Sequence, residues 1–207
     1  MSGNTGFDEL FAEAPLMVIL RGLGAERSLE LAHKAWDLGI TSVELPIQTP
    51  ADVEALRVVA DAGRAQGKAV GAGTVITPEH VRQAKEAGAA FTVSPGYDRE
   101  IVGASIAAGL PPLPGVATAT DVQLALRDGL TWLKAFPASV LGTGWFTAMR
   151  GPFPQVRFVA TGGMDASNAQ PFLDAGVRVV AVGSALADET QVDRLAALLK
   201  PAPRPGR

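Results

Sequence analysis

Residues 77–96 read TPEHVRQAKEAGAAFTVSPG and contain one complete helix-to-strand unit. Thr77 can cap a helix, and Pro78 suits the first helical position. Gly88 can adopt the left-handed conformation that ends a helix. The β-rich run Phe91–Ser94 follows soon after it and predicts a short strand.

The same unit recurs along the chain. Eight β-rich runs are predicted as strands: Leu16–Arg21, Ser42–Ile47, Ala69–Val75, Phe91–Ser94, Leu110–Val116, Thr131–Phe136, Arg157–Thr161 and Arg178–Val182. Segments rich in Ala, Leu and Glu lie between them, and several end at a glycine: Gly39, Gly88, Gly109, Gly129 and Gly176. This alternation predicts a (β/α)₈ TIM barrel, although the chain is short for a fold that typically uses about 250 residues. A doubly wound open sheet is the alternative.

The two ends of the chain complete the predicted domain organisation. Phe7, Leu10 and Phe11 form an apolar stripe, which indicates a helix over about residues 7–14 that closes the barrel bottom. We expect a single barrel domain over residues 1–200 and a flexible, Pro-rich tail over residues 201–207.

Composition excludes several classes of function. The 207 residues include no cysteine, so thiolate metal sites, disulfides and a cysteine nucleophile are excluded, and only two histidines remain for a metal. A carboxylate-and-water Mg²⁺ site stays open. The net charge of -3 argues against nucleic acid as a partner. No apolar run approaches the roughly 18 residues of a membrane span, and no positive charge begins the chain as in a secretory signal. We therefore expect a cytoplasmic protein without a membrane partner.

Lys134 is the only one of five lysines inside a predicted strand, where Leu133 and Ala135 flank it. Strand alternation places it on the same face as Trp132 and Phe136. Burial disfavours a charged amine, and a neutral amine in a pocket is a competent nucleophile toward a carbonyl carbon. The alternative is a structural lysine whose head reaches solvent or pairs with a carboxylate.

Glu44 and Arg21 are two further charged residues within or at the end of predicted strands. Glu44 is the only carboxylate inside a predicted strand, which suits a general acid/base. Its alternative is a structural ion pair with Lys134 or Arg21. Arg21 ends the first strand, where its guanidinium could hold a substrate carboxylate, or form a salt bridge to Glu44.

Two glycine loops follow the last two predicted strands, at Gly162-Gly163 and Gly183-Ser184. Barrels often bind phosphate with these two loops through backbone N–H groups. Tight strand-to-helix turns also use glycine, so a purely structural role is the alternative. Phe136 shares the face of Lys134 and could stack on a flat intermediate.

These residues resemble a known family, the class I aldolases that cleave 2-keto-3-deoxy-6-phospho sugar acids. The matching segments are Val18-Ile-Leu-Arg21-Gly, Val43-Glu44-Leu-Pro46, Gly71-Ala-Gly73-Thr74-Val, Val93-Ser94-Pro95-Gly96, Pro114-Gly-Val-Ala-Thr118-Ala-Thr120, Leu133-Lys134-Ala-Phe136-Pro137-Ala and Thr161-Gly162-Gly163. The resemblance spans nearly the whole chain. It implies a trimeric (β/α)₈ barrel with no metal and no other cofactor.

The resemblance also implies roles for individual residues. Lys134 would form a Schiff base with the C2 ketone, and Glu44 would shuttle protons. The products would be pyruvate and glyceraldehyde 3-phosphate. The implied substrate contacts are Arg21 and Thr74 with the backbone near Pro95 at the pyruvate end, Phe136 beside the imine, and Gly162, Gly163, Gly183 and Ser184 at the phosphate.

Two positions bear on which sugar acid is cleaved. Gln48 stands where the branch that acts on 2-keto-3-deoxy-6-phosphogluconate (KDPG) usually has Arg and the galactonate branch usually has Asn, and it would contact the C4 hydroxyl. Thr161 resembles the gluconate branch. We predict cleavage of 2-keto-3-deoxy-6-phosphogalactonate. The alternatives are a KDPG or 4-hydroxy-2-oxoglutarate aldolase, a phosphate-binding isomerase or synthase in which Lys134 is only an electrostatic anchor, and a sugar-phosphate sensor.

Overall fold

A computed structural model describes residue 4 and residues 6–12, 14–183 and 188–199. Strands and helices alternate along most of these residues. The strands are β1 (Leu16–Ile19), β2 (Ser42–Pro46), β3 (Ala69–Gly73), β4 (Phe91–Val93), β5 (Pro112–Leu113), β6 (Gly115–Val116), β7 (Trp132–Ala135), β8 (Arg157–Thr161) and β9 (Val179–Val182). The helices are α1 (Gly6–Leu10), α2 (Gly24–Asp37), α3 (Pro50–Ala65), α4 (Pro78–Glu86), α5 (Arg99–Ala107), α6 (Ala119–Arg127), α7 (Ala138–Arg150), α8 (Ala169–Asp174) and α9 (Glu189–Leu199).

The strands form one parallel sheet that curls into a nearly closed barrel. Their order is β5-β4-β3-β2-β1-β9-β8-β7-β6. The two edge strands, β5 and β6, are successive pieces of one extended segment, so the first and last strands of the sheet meet in the chain. The predicted barrel is confirmed, and the open-sheet alternative is wrong.

The fifth predicted strand, Leu110–Val116, is divided at Pro114. Proline has no N–H and cannot donate to a strand ladder. Its carbonyl still accepts from the Lys134 amide at 2.9 Å, so the segment stays attached to β7. Several predicted strands are also too long at the C-terminal end; β1, for example, ends at Ile19 rather than Arg21.

The predicted helix boundaries follow from capping chemistry. Thr49 and Thr77 are the N-caps of α3 and α4, and each hydroxyl accepts from a backbone N–H in the first turn. The glycines predicted to end helices all have positive φ angles: Gly39, Gly88, Gly109, Gly129 and Gly176. The predicted cap at Thr77 and the predicted helix-ending glycines are confirmed, and Thr49 caps its helix in the same way.

Strand alternation divides the core into two layers. Side chains that point outward, such as Val43, Leu45 and Leu133, pack against the surrounding helices. Inward side chains fill the lower part of the barrel, where Phe91 and Trp132 meet Phe7 and other side chains at the N-terminus. The site therefore occupies the opposite end, where the inward side chains become small or polar.

Helix α1 spans Gly6–Leu10, which is shorter than the expected helix over about residues 7–14. The Ala12 N–H donates to the Glu9 carbonyl, three residues back, at 3.2 Å, so the chain leaves the α-helical hydrogen-bond pattern there. The tail predicted over residues 201–207 lies outside the described residues. In the part of the chain that the structure does describe, no helix combines the length and apolar character needed to cross a bilayer.

Candidate active site

A cleft of about 680 Å³ opens at the C-terminal end of the strands. Seven of the predicted site residues line it: Arg21, Lys134, Phe136, Thr161, Gly162, Gly163 and Gly183. They lie in or after the C-terminal halves of β1, β7, β8 and β9, which are neighbours in the sheet. This is the end of a (β/α)₈ barrel at which catalytic groups are found.

Lys134 enters the cleft from the barrel wall. Its strand β7 pairs with β6 and β8, where Gly115 and Val159 are its register partners. The residue is only 5% exposed, and its Nζ lies 5.1 Å from the centroid of the Phe136 ring. No ion pair within the described ranges includes Lys134, so the pairing alternative is not seen. Its amine is positioned to meet a ligand in the cleft.

Glu44 is fully buried at 0% exposure, on the inward face of β2. Its register partners are Ile19 on β1, which lines the cleft, and Gly71 on β3. Neither carboxylate oxygen has a hydrogen-bond partner among the described residues. The structural ion pair considered as an alternative is therefore not formed. A buried carboxyl group without a partner is costly for the fold, and such groups concentrate at functional sites.

Arg21 pairs with Gln48 instead of Glu44. Its Nη1 donates to the Gln48 Oε1 at 2.6 Å, and both side chains are exposed at the rim of the cleft. The backbone N–H of Gln48 donates to the Asp52 carboxylate at 3.2 Å. That carboxylate also completes the capping box of α3. The start of α3 thus fixes the loop that carries Gln48.

Thr74 and Pro95 follow the ends of β3 and β4, outside the main cleft lining. Thr74 has a φ of 57°, and no other residue except glycine has a positive φ in the described part of the chain. This conformation is strained for a β-branched residue and costs about 1–3 kcal/mol. The Pro95 carbonyl packs against Gly115, where any side chain would collide with it.

The glycine loop after β8 is closely packed. Gly162 and Gly163 have φ angles of 91° and 71°. A Cβ at Gly162 would lie 3.0 Å from the Phe136 ring, and one at Gly163 would lie 2.8 Å from the Ser139 Cβ. Residues with a side chain rarely adopt this backbone, and one at Gly163 would collide with Ser139, so glycine suits both positions. Ser184, the remaining predicted phosphate residue, lies outside the described residues.

Hydrogen bonds within the same loop hold its shape. Asn168 Nδ2 donates to the Gly163 carbonyl at 2.8 Å. The hydroxyl and backbone N–H of Ser167 donate to the Asp165 carboxylate and lower the pKa of that group. The carbonyl of Gly163 is therefore turned toward Asn168.

Sequence reasoning missed the apolar walls of the cleft. Leu23, Leu31 and Met164 line it beside the predicted residues. Leu23 and Met164 directly follow Gly22 and Gly163. Their place beside a loop glycine is the sequence feature that could have indicated that they line the cleft. Within the described ranges, no group of three or more His, Asp or Glu residues could hold a metal ion.

Comparisons with known proteins agree with this geometry. Residues 7–198 match the family described as KDPG and KHG aldolase. The chain belongs to this aldolase family. It is 37% identical to the 2-dehydro-3-deoxy-phosphogluconate aldolase of Treponema pallidum over 76% of this chain and 74% of that protein. It is 32% identical to the 2-dehydro-3-deoxy-6-phosphogalactonate aldolase of Escherichia coli K12, with coverage of 83% and 84%.

A solved structure is similar as well. The KDPG aldolase of Legionella pneumophila, with pyruvate captured at low pH as a covalent carbinolamine intermediate, superposes with a TM-score of 0.80 at 31% identity, covering 92% of this chain and 94% of that one. Family membership confirms the resemblance and makes the chain a lyase rather than an isomerase, synthase or sensor. Relatives carry both sugar-acid names, so membership alone does not choose the substrate.

Proposed function

We propose that this aldolase is of class I and cleaves 2-keto-3-deoxy-6-phosphogalactonate into pyruvate and glyceraldehyde 3-phosphate. The observation that carries the proposal is Lys134, a lysine 5% exposed whose side chain lines the cleft. No ion pair in the described residues holds it. An amine in such a pocket can attack a carbonyl carbon.

The first steps join the substrate to the enzyme. The Lys134 amine attacks the C2 ketone and gives a carbinolamine. Loss of water then gives a protonated imine. Glu44 is the carboxyl group that moves protons in these steps, since its oxygens have no competing partner among the described residues. In the structure of the Legionella relative, pyruvate is held as a covalent carbinolamine, which is the first intermediate of these reaction steps.

Bond cleavage follows from the imine. The C4 hydroxyl gives its proton to Glu44, the C3–C4 bond breaks, and the electron pair moves into the protonated imine. Glyceraldehyde 3-phosphate leaves, and an enamine of pyruvate remains. Glu44 returns a proton to C3, and water hydrolyses the imine to release pyruvate. The Phe136 ring, near the Lys134 Nζ, flanks the flat intermediates.

The two ends of the substrate bind at different parts of the rim. Arg21 and Thr74, with the backbone near Pro95, would hold the pyruvate carboxylate. The phosphate would bind the loops of Gly162-Gly163 and Gly183-Ser184. Closely packed glycines at the end of β8 suit this role because they let backbone N–H groups approach an anion.

The preference for the galactonate epimer rests on Gln48. Its neutral amide stands at the rim, bonded to Arg21, where the gluconate branch usually has a cation. A hydrogen bond to one hydroxyl can discriminate strongly between two substrates. KDPG is the second candidate, because Thr161 resembles that branch and lines the cleft. Following the resemblance to the aldolase family, we also propose that the chain forms a homotrimer and acts in the cytoplasm. Light scattering of the purified chain would test the trimer.

Release of pyruvate from the two C4 epimers tests this proposal. We expect cleavage of both, with kcat/KM about 10-fold or more higher for the galactonate compound. The substitution Gln48→Arg should shift the preference toward the gluconate compound. A higher kcat/KM for the gluconate epimer in the unsubstituted chain would overturn the substrate assignment. No cleavage of either epimer would overturn the proposed function itself.

A further inference from the structure

Two glycines in β3, Gly71 and Gly73, face the inside of the barrel. Their neighbours Val70 and Ala72 point outward into the layer beneath the helices. Neither glycine has a positive φ, so the backbone would accept alanine at both positions. The need for glycine must therefore come from the space that a side chain would occupy.

At Gly73 that space is filled by the carboxyl group of Glu44. A Cβ at Gly73 would lie 2.7 Å from the Glu44 Cδ and 2.9 Å from its Cγ, and still closer to Oε1. Real Cβ contacts do not reach such distances, so a side chain at position 73 and the present position of Glu44 exclude each other. The colliding atoms are the end of the Glu44 side chain, so a side chain at position 73 would displace the carboxyl group rather than the backbone.

The register of the strands shows in which direction the Glu44 side chain extends. Glu44 is paired with Gly71, yet its carboxyl group lies over Gly73, which is farther along β3 toward the cleft. The side chain therefore leans toward the C-terminal end of the barrel. Lys134 lines the cleft at that end. A larger residue at position 73 would push the carboxyl group away from this position.

We propose that Gly73 is a positioning residue for Glu44, because its missing side chain lets the carboxyl group reach the atoms of the Lys134 imine. This inference rests on the proposed function, in which Glu44 moves the protons. Proton transfer needs close placement of the carboxyl group, and a misplacement of about 1 Å can lower the rate on the order of 10²-fold.

Gly71 provides a matched comparison in the same strand. A Cβ there would lie 2.5 Å from the Phe91 Cδ2, and still closer to its Cζ and Cε2. Phe91 belongs to the apolar layer in the lower barrel, with Phe7 and Trp132. The collision is of similar severity, but it involves packing and no ionisable group. Gly71→Ala should therefore affect stability without affecting proton transfer.

The test uses pyruvate in D₂O. The imine on Lys134 loses a methyl proton to Glu44, and the enamine regains a deuteron through the same carboxyl group, so exchange of the methyl protons reports on imine formation and proton transfer without cleavage of a carbon–carbon bond. We expect Gly73→Ala to slow exchange on the order of 10²-fold. Borohydride should still trap pyruvate on Lys134 at long incubation. Gly71→Ala should lower the melting temperature and leave the exchange rate within about 3-fold.

A second variant guards against a simple folding defect. Glu44→Asp shortens the side chain by one methylene and frees the space above Gly73. We expect Gly73→Ala to slow exchange by less than about 5-fold in the Glu44→Asp background, because the two substitutions act on one shared volume. The same fold-loss in both backgrounds, or an equal loss of folding in both, would overturn the inference.

The proposed function is tested separately in the unsubstituted chain. If that chain exchanges and traps pyruvate while Gly73→Ala exchanges at the same rate, only the role of Gly73 fails. If the unsubstituted chain neither exchanges nor traps pyruvate, the proposed function fails, and the role of Gly73 fails with it.

Discussion

Asn4 closes the N-terminal end of the barrel with four hydrogen bonds, whereas both oxygens of Glu44, toward the C-terminal end, have no partner among the described residues. Asn4 donates to the carbonyls of Pro112 and Trp132 and accepts from the N–H groups of Thr131 and Trp132. It thereby joins β5 to β7 directly across the place where the sheet is divided.

Aromatic packing continues the same contrast. Phe7 stacks on Phe11 and meets the edge of Phe91, and Asp8 accepts hydrogen bonds from the Trp132 indole and from Arg157. The C-terminal end instead carries a strained threonine, loop glycines and a partly exposed ring at Phe136. One end satisfies its groups within the fold, and the other leaves them available for a ligand. Natural proteins commonly give up stability at sites of function in this way.

The largest effect is expected at Lys134. Lys134→Met removes the nucleophile and should lower kcat/KM on the order of 10⁴-fold or more. The melting temperature should stay the same or rise, since a buried amine is replaced by an apolar side chain. Steady-state kinetics measures kcat/KM, and calorimetry measures the melting temperature. Lys85→Met, an exposed lysine on α4, is the control and should remain active. A fully active Lys134→Met chain would end the class I assignment.

Glu44→Gln should have the next largest effect. The amide keeps the shape of the side chain but cannot carry protons, so kcat should fall about 10²- to 10⁴-fold. Inhibition by inorganic phosphate should change little, because the glycine loops lie on other strands. Measured kcat and phosphate inhibition separate the two effects. Losses of similar size in both would contradict a role for Glu44 in proton transfer.

A phenylalanine at each end of the barrel should respond differently to replacement by alanine. Phe7→Ala should lower the free energy of unfolding by about 3–5 kcal/mol, because Phe7 is 1% exposed in the aromatic layer. Its kcat/KM should be unchanged where the chain remains folded. Phe136→Ala, at 37% exposure, should lower stability less and kcat/KM more. Denaturant unfolding and steady-state kinetics on both variants measure these effects. Equal losses of stability and of kcat/KM in the two variants would contradict the assignment of stability to one end of the barrel and function to the other.

The smallest effect is expected at Thr74. Thr74→Gly relieves the left-handed strain but adds chain entropy, so the free energy of unfolding should change by less than about 1 kcal/mol. Loss of the hydroxyl should lower kcat/KM several-fold. Thr147→Gly, on the exposed face of α7, should destabilise by about 0.3–0.5 kcal/mol with normal kinetics. A stability loss at Thr74 of more than about 1 kcal/mol would show that glycine does not relieve the strain at φ 57°.

The sequence predicted the barrel well because its signals are local. Helix-capping glycines and threonines act on their own neighbours, so the positions of the helices could be read directly. The division of one strand at Pro114 was also a local signal, and it was overlooked. Lys134 and Glu44 stood out because charges inside apolar strands are rare.

The rest of the site depends on contacts between distant segments. Nothing local indicates that Arg21 pairs with Gln48, or that Asn4 joins β5 to β7. The different roles of Gly71 and Gly73 are equally invisible, because they depend on which side chain of a neighbouring strand fills the space above each. Such contacts need the register of the sheet.

Mass spectrometry of the chain after incubation with pyruvate and sodium borohydride, followed by peptide mapping, tests whether Lys134 forms the imine. Borohydride reduces an imine to a stable amine, so the adduct survives digestion. We predict a single added mass of reduced pyruvate, on the peptide that contains Lys134. A folded chain that cleaves the sugar acid without this adduct, or with the adduct on another lysine, would contradict the account.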